Sequence, residues 1–196
     1  MAPSFCTDLG ENERRQLLQL ARQSVRNGLD RDDVPTVDRH ALPEALNAQL
    51  GVFVTLTQRG KLRGCIGSLE ASEPLAQAVA SAAYSAAFSD PRFPELAVHE
   101  LEYTRIEISI LSPMEPITVT SRAELLSTLR PELDGLLLQD RHYRSTFLPK
   151  VWQQLPEPGA FLDQLLSKAG LPVDHWSTTI TFCRYQTVTF SEARDV

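Results

Sequence analysis

The residues best suited to chemistry lie together in "KLRGCIGSLE", residues 61–70, where Cys65 stands between Gly64 and Gly67, two residues after Arg63. Thiolate is the nucleophilic form of cysteine, and a nearby guanidinium favours it. If residues 62–66 are a strand, period-two alternation points Arg63 and Cys65 to the same face. The glycines leave room for a ligand or another backbone beside the sulfur. A plainer reading fits the same ten residues: Gly64 and Gly67 shape a bulge or turn, Cys65 is a small buried apolar side chain, and Arg63 is exposed. Both readings stand at this point.

Two further stretches carry candidate binding groups. In "DPRFPEL", residues 90–96, Arg92 offers a forked donor for a carboxylate or phosphate oxygen, with Asp90 two residues before it. The alternative is an Asx-type turn at Asp90, with Arg92 pairing across a lobe boundary. In "RIEISIL", Glu107 and Ser109 alternate with Ile106, Ile108 and Ile110. They suit a general base and a hydrogen-bonding group, or simply the solvated side of a half-exposed sheet.

The remaining candidates are weaker. His40, His99, His142 and His175 are scattered, and "HELEY" at 99–103 has Tyr103 where a metalloprotease helix needs its second histidine. Asp30, Asp32 and Asp33 lack the ligand and glycine spacing of a calcium loop. There is no phosphate-binding loop, dinucleotide fingerprint or nucleophile elbow. No cofactor or metal is therefore expected.

The elements that must position these groups read as follows. "TDLGENERRQLLQLARQSVRNGLD" is an amphipathic helix with Asp8 and Glu11 as a capping box, a stripe of Leu18, Ala21, Val25 and Leu29, and an end at Gly28. "GVFVTLT" and "LRGCIGSLE" form a hairpin about Gly60. "SEPLAQAVASAAYSAAFS" is an alanine-rich helix that neighbours approach closely, and "DPRFPEL" is a loop. "RIEISILSPMEPI" is a strand. A helix around "SRAELLSTL", a short strand "DGLLLQ", an extended segment turning helical after Pro149, and a helix "EPGAFLDQLLSKAGLP" follow. "HWSTTITFCRYQTVTF" closes the chain as one long strand. Hairpins interspersed with helices predict an α+β fold with largely antiparallel sheet.

Composition limits the partners. The 196 residues are 42% hydrophobic and 22% charged, with a formal net charge of −6, which argues against nucleic acid as main partner. No apolar run approaches the roughly 20 residues of a membrane helix. "MAPSFCTDLGENE" has neither a basic nor an apolar leader region, so a secretory signal is not expected. Cys6, Cys65 and Cys183 are odd in number and far apart, which speaks against a disulfide framework. The expected compartment is the cytoplasm.

"LRGCIG" at 62–67, "DPRF" at 90–93, "IEISILSPMEPI" at 106–117, "FLPKVW" at 147–152 and "KAGL" at 168–171 occur in the order seen in the AMMECR-one domain family. The chain resembles that family from about residue 10 to 190, and the hexapeptide is the family's hallmark, here without substitution. One departure is that the chain runs directly from "FLPKVW" into "QQLPEPGA", where the family often carries a longer acidic and aromatic stretch.

The resemblance implies a single domain over 1–196 with a two-lobed α+β fold. The larger lobe would include about 8–118 and the smaller would be drawn mainly from about 119–175, the hexapeptide lying at or near the cleft between them. Prokaryotic members resemble the A component of the AmmeMemoRadiSam gene set, which implies a Memo-type dioxygenase-like protein and a radical SAM protein as partners. No reaction comes with the family.

Two functional expectations follow. One is a small-molecule- or partner-binding component whose site includes Arg63, Gly64, Gly67, Asp90, Arg92, Glu107 and Ser109. The other is an enzyme with Cys65 as nucleophile or redox thiol and with Arg63 and Arg92 binding a small anionic substrate.

Overall fold

In the computed structural model residues 9–31, 33–70 and 72–193 are described; Asp8, Asp32 and Cys6 lie outside them. The chain forms two compact units. One is drawn from residues up to Ser112 together with those from Val188 onward, the other from Pro113–Thr187.

The first unit is a four-stranded sheet covered by two helices. β1 (Val52–Gln58), β2 (Lys61–Ser68), β3 (Thr104–Leu111) and β8 (Thr187–Ser191) lie in the order β2-β1-β3-β8. β1 is antiparallel to both β2 and β3. Alternation decides the faces: Val52, Val54, Leu56, Ile106, Ile108 and Ile110 are all buried in one core. Each such side chain stabilises the unit by about 1.5–3 kcal/mol relative to exposure.

Against that apolar face lie α1 (Glu11–Arg31) and α2 (Leu75–Phe88). Ala76, Ala80, Ala83 and Ala87 of α2 are buried, so small side chains let the helix sit low on its neighbours. The Ser24 hydroxyl of α1 donates to the Ala80 carbonyl at 2.7 Å. The buried stripe of α1 is Leu17, Ala21, Ser24 and Val25. Leu18 and Leu29 of the expected stripe are only partly buried.

Gly28 does not end α1, which continues to Arg31. A Cβ there would stand 2.2 Å from the Phe88 ring, so this glycine makes room for an aromatic side chain of α2.

The second unit repeats the sheet-plus-helix plan with its own core. β4 (Glu115–Ile117), β5 (Gly135–Asp140), β6 (Tyr143–Phe147) and β7 (Thr181–Tyr185) are ordered β4-β7-β5-β6. α3 (Arg122–Thr128) and α4 (Pro158–Lys168) complete it. Leu136, Leu138, Leu165, Phe161 and Trp152 are buried together. The Trp152 and Phe161 rings stack at 3.8 Å, and the indole N–H donates to the Asp134 carbonyl at 2.7 Å.

Two expected strands are each divided between the sheets. "RIEISILSPMEPI" gives β3 in one sheet and β4 in the other, separated around Pro113, which has no N–H for a ladder. "HWSTTITFCRYQTVTF" gives β7 and β8, which also belong to different sheets. Hydrophobic alternation runs through such a crossing without a break, so the pattern alone does not reveal it. The fold is α+β with two antiparallel sheets, and among the described residues no helix is long and apolar enough to cross a membrane.

Candidate functional site

The hairpin places Cys65 on the sheet face opposite the isoleucines. Thr55 stands in register with Cys65 on one side and Glu107 on the other, so the three form a row across β2, β1 and β3. The Thr55 hydroxyl donates to the Cys65 sulfur at 3.3 Å. Cys65 is half-buried. In the next row Phe53 lies between Gly67 and Ser109, and the Ser109 hydroxyl is 2.9 Å from that of Thr189.

The two glycines of the hexapeptide are explained by backbone approach. A Cβ on Gly64 would lie 2.0 Å from the Ala86 carbonyl oxygen of α2, and one on Gly67 would lie 2.1 Å from the Val52 carbonyl oxygen. No side chain fits at either position without moving main chain.

The "DPRF" loop folds back onto Cys65. The Asp90 carboxylate is buried and accepts the Cys65 N–H at 2.9 Å. The same carboxylate accepts the Arg92 backbone N–H at 3.1 Å, its Nε at 2.9 Å and its Nη2 at 2.6 Å. Arg92 Nη2 also donates to the Cys65 carbonyl at 3.2 Å. The Arg92 guanidinium holds the Asp90 carboxyl far below the usual carboxylate range, and Asp90 in turn raises the pKa of Arg92. Asp90 therefore does form the Asx turn, and Arg92 pairs with Asp90 itself.

Arg63 takes a different partner from the one alternation implied. The β1–β2 register slips by one residue, pairing Leu56 with Gly64 but Thr57 with Leu62, so Arg63 sits at a bulge. It is buried, not exposed. Its Nε and Nη2 each donate to one oxygen of Glu100 at 2.9 Å, and Nη2 also reaches the Glu95 carbonyl at 3.2 Å.

Glu100 further accepts from the Ala97 backbone N–H at 2.9 Å and from Gln58 at 3.1 Å. Chiefly through Arg63, its pKa falls to about 2. The Phe93 ring links the two arginine pairs, its centroid 5.9 Å from the Arg63 guanidinium and 5.6 Å from that of Arg92. Arg63 Nη1 is buried with no hydrogen-bond partner among the described residues; cation–π attraction to Phe93 offsets part of that cost.

The structure thus brings Cys65, Asp90 and Arg92 into direct contact, joins Arg63 to them through Phe93, and sets Glu107 and Ser109 on the sheet face of Cys65, while Gly64 faces α2. Glu100, Thr55 and Phe93 escaped the sequence reading. Glu100 lay inside "HELEY", where its neighbour His99 drew attention to metals. Among the described residues no group of His, Cys, Asp or Glu side chains is arranged to hold a metal ion.

In the second unit His175 Nε2 lies 2.6 Å from an Asp140 oxygen, and Ser177 donates to that oxygen at 2.7 Å. Thr179 bonds the other oxygen at 2.5 Å. These bonds, led by Thr179, bring the Asp140 pKa to about 2. The imidazole and the serine both address the carboxylate and not each other, so the group ties down the 175–179 loop and is not a nucleophile–base pair.

The AMMECR1 family model matches residues 18–190. A protein of Methanothermobacter thermautotrophicus is 39% identical over 167 residues, covering 85% of this chain and 86% of the relative. Protein MJ0810 of Methanocaldococcus jannaschii is 39% identical over 154 residues, covering 76% and 77%. The crystal structure of uncharacterized protein PH0010 from Pyrococcus horikoshii superposes with a TM-score of 0.83 at 30% identity, covering 90% of this chain and 89% of that one. With a family model matched over nearly the whole chain and relatives at 39% identity, the chain belongs to the AMMECR1 family.

Proposed function

We propose that this chain is a binding component that works with a Memo-type dioxygenase-like protein and a radical SAM protein. It presents Arg92, beside the Cys65 peptide, to an anionic group on a partner or small molecule. The observation that carries this reading is that both arginines of the site are engaged by carboxylates, Arg63 by Glu100 and Arg92 by Asp90. Neither donates a hydrogen bond to the Cys65 sulfur, and no imidazole contacts it among the described residues.

Arg92 nevertheless keeps 54% of its side chain exposed, and its Nη1 takes no part in the bonds to Asp90 and Cys65. The Asp90–Arg92 pair is neutral overall. It offers the Nη1 N–H donors of Arg92 held in a fixed direction, not free charge, which suits a carboxylate or phosphate that docks in one orientation.

One observation favours the alternative, a cysteine-dependent enzyme: the Thr55 hydroxyl donates to Cys65 Sγ, which holds the sulfur in one orientation. The two readings part on mutation. Binding of the Memo-type protein from the same organism, followed by biolayer interferometry, is expected to be unchanged in Cys65→Ser and to weaken about tenfold in Arg92→Gln, the loss of one charge-assisted bond pair. Unchanged binding in Arg92→Gln, or loss confined to Cys65→Ser, overturns the binding reading.

A further inference from the structure

The first unit carries a second basic feature, away from the hexapeptide. A depression of about 1110 Å³ opens between α1, the β1–β2 turn, the start of β3 and the end of β8. Its lining includes Arg22, Arg26, Arg59 and Arg105 against two carboxylates, Glu102 and Glu192. In a chain with a formal net charge of −6, this local surplus of guanidinium is notable.

The four arginines divide into a floor and a rim. Arg22 is fixed: its Nε and Nη2 grip both oxygens of Glu192, Nη1 donates to the Leu101 carbonyl at 3.0 Å and Nη2 to the Thr104 carbonyl at 2.6 Å. Glu192 also accepts the Ile106 N–H at 2.9 Å, so its charge is cancelled and directed inward. Among the described residues Arg105 donates only to neutral groups, the Glu192 carbonyl at 2.8 Å and the Ser191 hydroxyl.

Arg26 and Arg59 are exposed and pair with no carboxylate among the described residues. Arg59 is held at the mouth by backbone geometry, with φ 49 followed by Gly60 at φ 78, the two left-handed positions of a tight hairpin turn. Among the described residues, three guanidinia without a carboxylate partner thus face one remaining acid of the lining, Glu102.

The rim is also apolar. Val98 is 70% exposed and Tyr103 59% exposed, and both line the same depression. Large apolar groups left in water beside unpaired cations mark a surface that a mixed ligand covers.

We propose that this depression is a separate ligand site for an organic dianion, a phosphate monoester or a dicarboxylate, whose apolar body lies on Tyr103 and Val98 and whose charged head is held by Arg26, Arg59 and Arg105. It goes beyond the reading of the Cys65 surface and does not depend on it.

The test is isothermal titration of the full chain at low ionic strength with phenyl phosphate, phthalate and inorganic phosphate. Saturable binding of phenyl phosphate or phthalate is expected, and whichever of the two binds more tightly identifies the head group. An Arg26→Gln, Arg59→Asn double variant should bind at least about tenfold more weakly; asparagine is chosen because it tolerates a left-handed turn position. Tyr103→Ser should weaken phenyl phosphate or phthalate severalfold and leave inorganic phosphate unaffected.

Arg92→Gln should bind like the parent, which separates this site from the Cys65 surface. An unchanged melting temperature in the double variant guards against loss of fold; if it does not melt like the parent, Tyr103→Ser alone decides. The proposal is overturned if neither aromatic anion binds saturably, if the folded double variant binds like the parent, or if the loss appears in Arg92→Gln instead.

Discussion

The buried carboxylate of Asp90 accepts the backbone N–H of Cys65 at 2.9 Å, 25 residues away in the chain. Through its other contacts it grips the guanidinium of Arg92. One acid therefore fixes both the main chain of the hexapeptide and the side chain that faces outward beside it.

That relationship predicts what Asp90→Asn will do. The substitution keeps the shape but removes the charge, and sets an amide N–H₂ among donors. A loss of about 1.5–3 kcal/mol is expected, the range for hydrogen bonds to a charged partner. Urea denaturation measures it, and a variant as stable as the parent contradicts the clamp.

The glycines give a second prediction. Gly64→Ala pushes a methyl group to 2.0 Å from a carbonyl oxygen of α2, whereas a Cβ on Gly159, in α4, meets nothing within 4 Å. Gly64→Ala should cost about 3 kcal/mol or more by forcing strand and helix apart. Gly159→Ala should be neutral or stabilise by up to about 1 kcal/mol. Equal melting temperatures for the two variants contradict the packing described.

Acid stability supplies a third. Glu100 has its pKa lowered to about 2 by Arg63, and Asp140 is likewise brought to about 2 by its hydroxyl and imidazole donors. A carboxylate with a depressed folded pKa contributes stability above its unfolded pKa of about 4, and loses it as pH falls towards the folded value. The denaturation midpoint should therefore be level from about pH 7 to 5 and fall between about pH 5 and 2. Glu100→Gln should be less stable at neutral pH and show a shallower acid limb, so that its curve converges on the parent's. Parallel curves contradict the assignment.

Much of this arrangement was legible beforehand, and the exceptions have physical causes. The hairpin, the alanine helix, the "DPRF" loop and the isoleucine face follow from short-range pattern, which a sequence displays directly. The partner of Arg63 does not. Glu100 is 37 residues away, and the bulge at Arg63 breaks the alternation that tied it to Cys65. The splitting of β3 from β4 and of β7 from β8 is a matter of which sheet each strand joins. That choice is made by long-range pairing, to which period-two patterning is blind. Gly28 misled because a glycine near a helix end reads as a stop signal, while here it accommodates Phe88.

The central claim is that Cys65 is held as part of a scaffold and is not activated by the arginines around it. The most direct measurement is the rate at which iodoacetamide alkylates Cys65, followed by mass spectrometry of its peptide, in the folded protein and in the urea-unfolded chain. The account predicts slower alkylation in the folded protein, because Cys65 is half-buried with its sulfur on Thr55 and both arginines are paired with carboxylates. Faster alkylation in the folded state, abolished by Arg92→Gln or by Arg63→Gln, would contradict it.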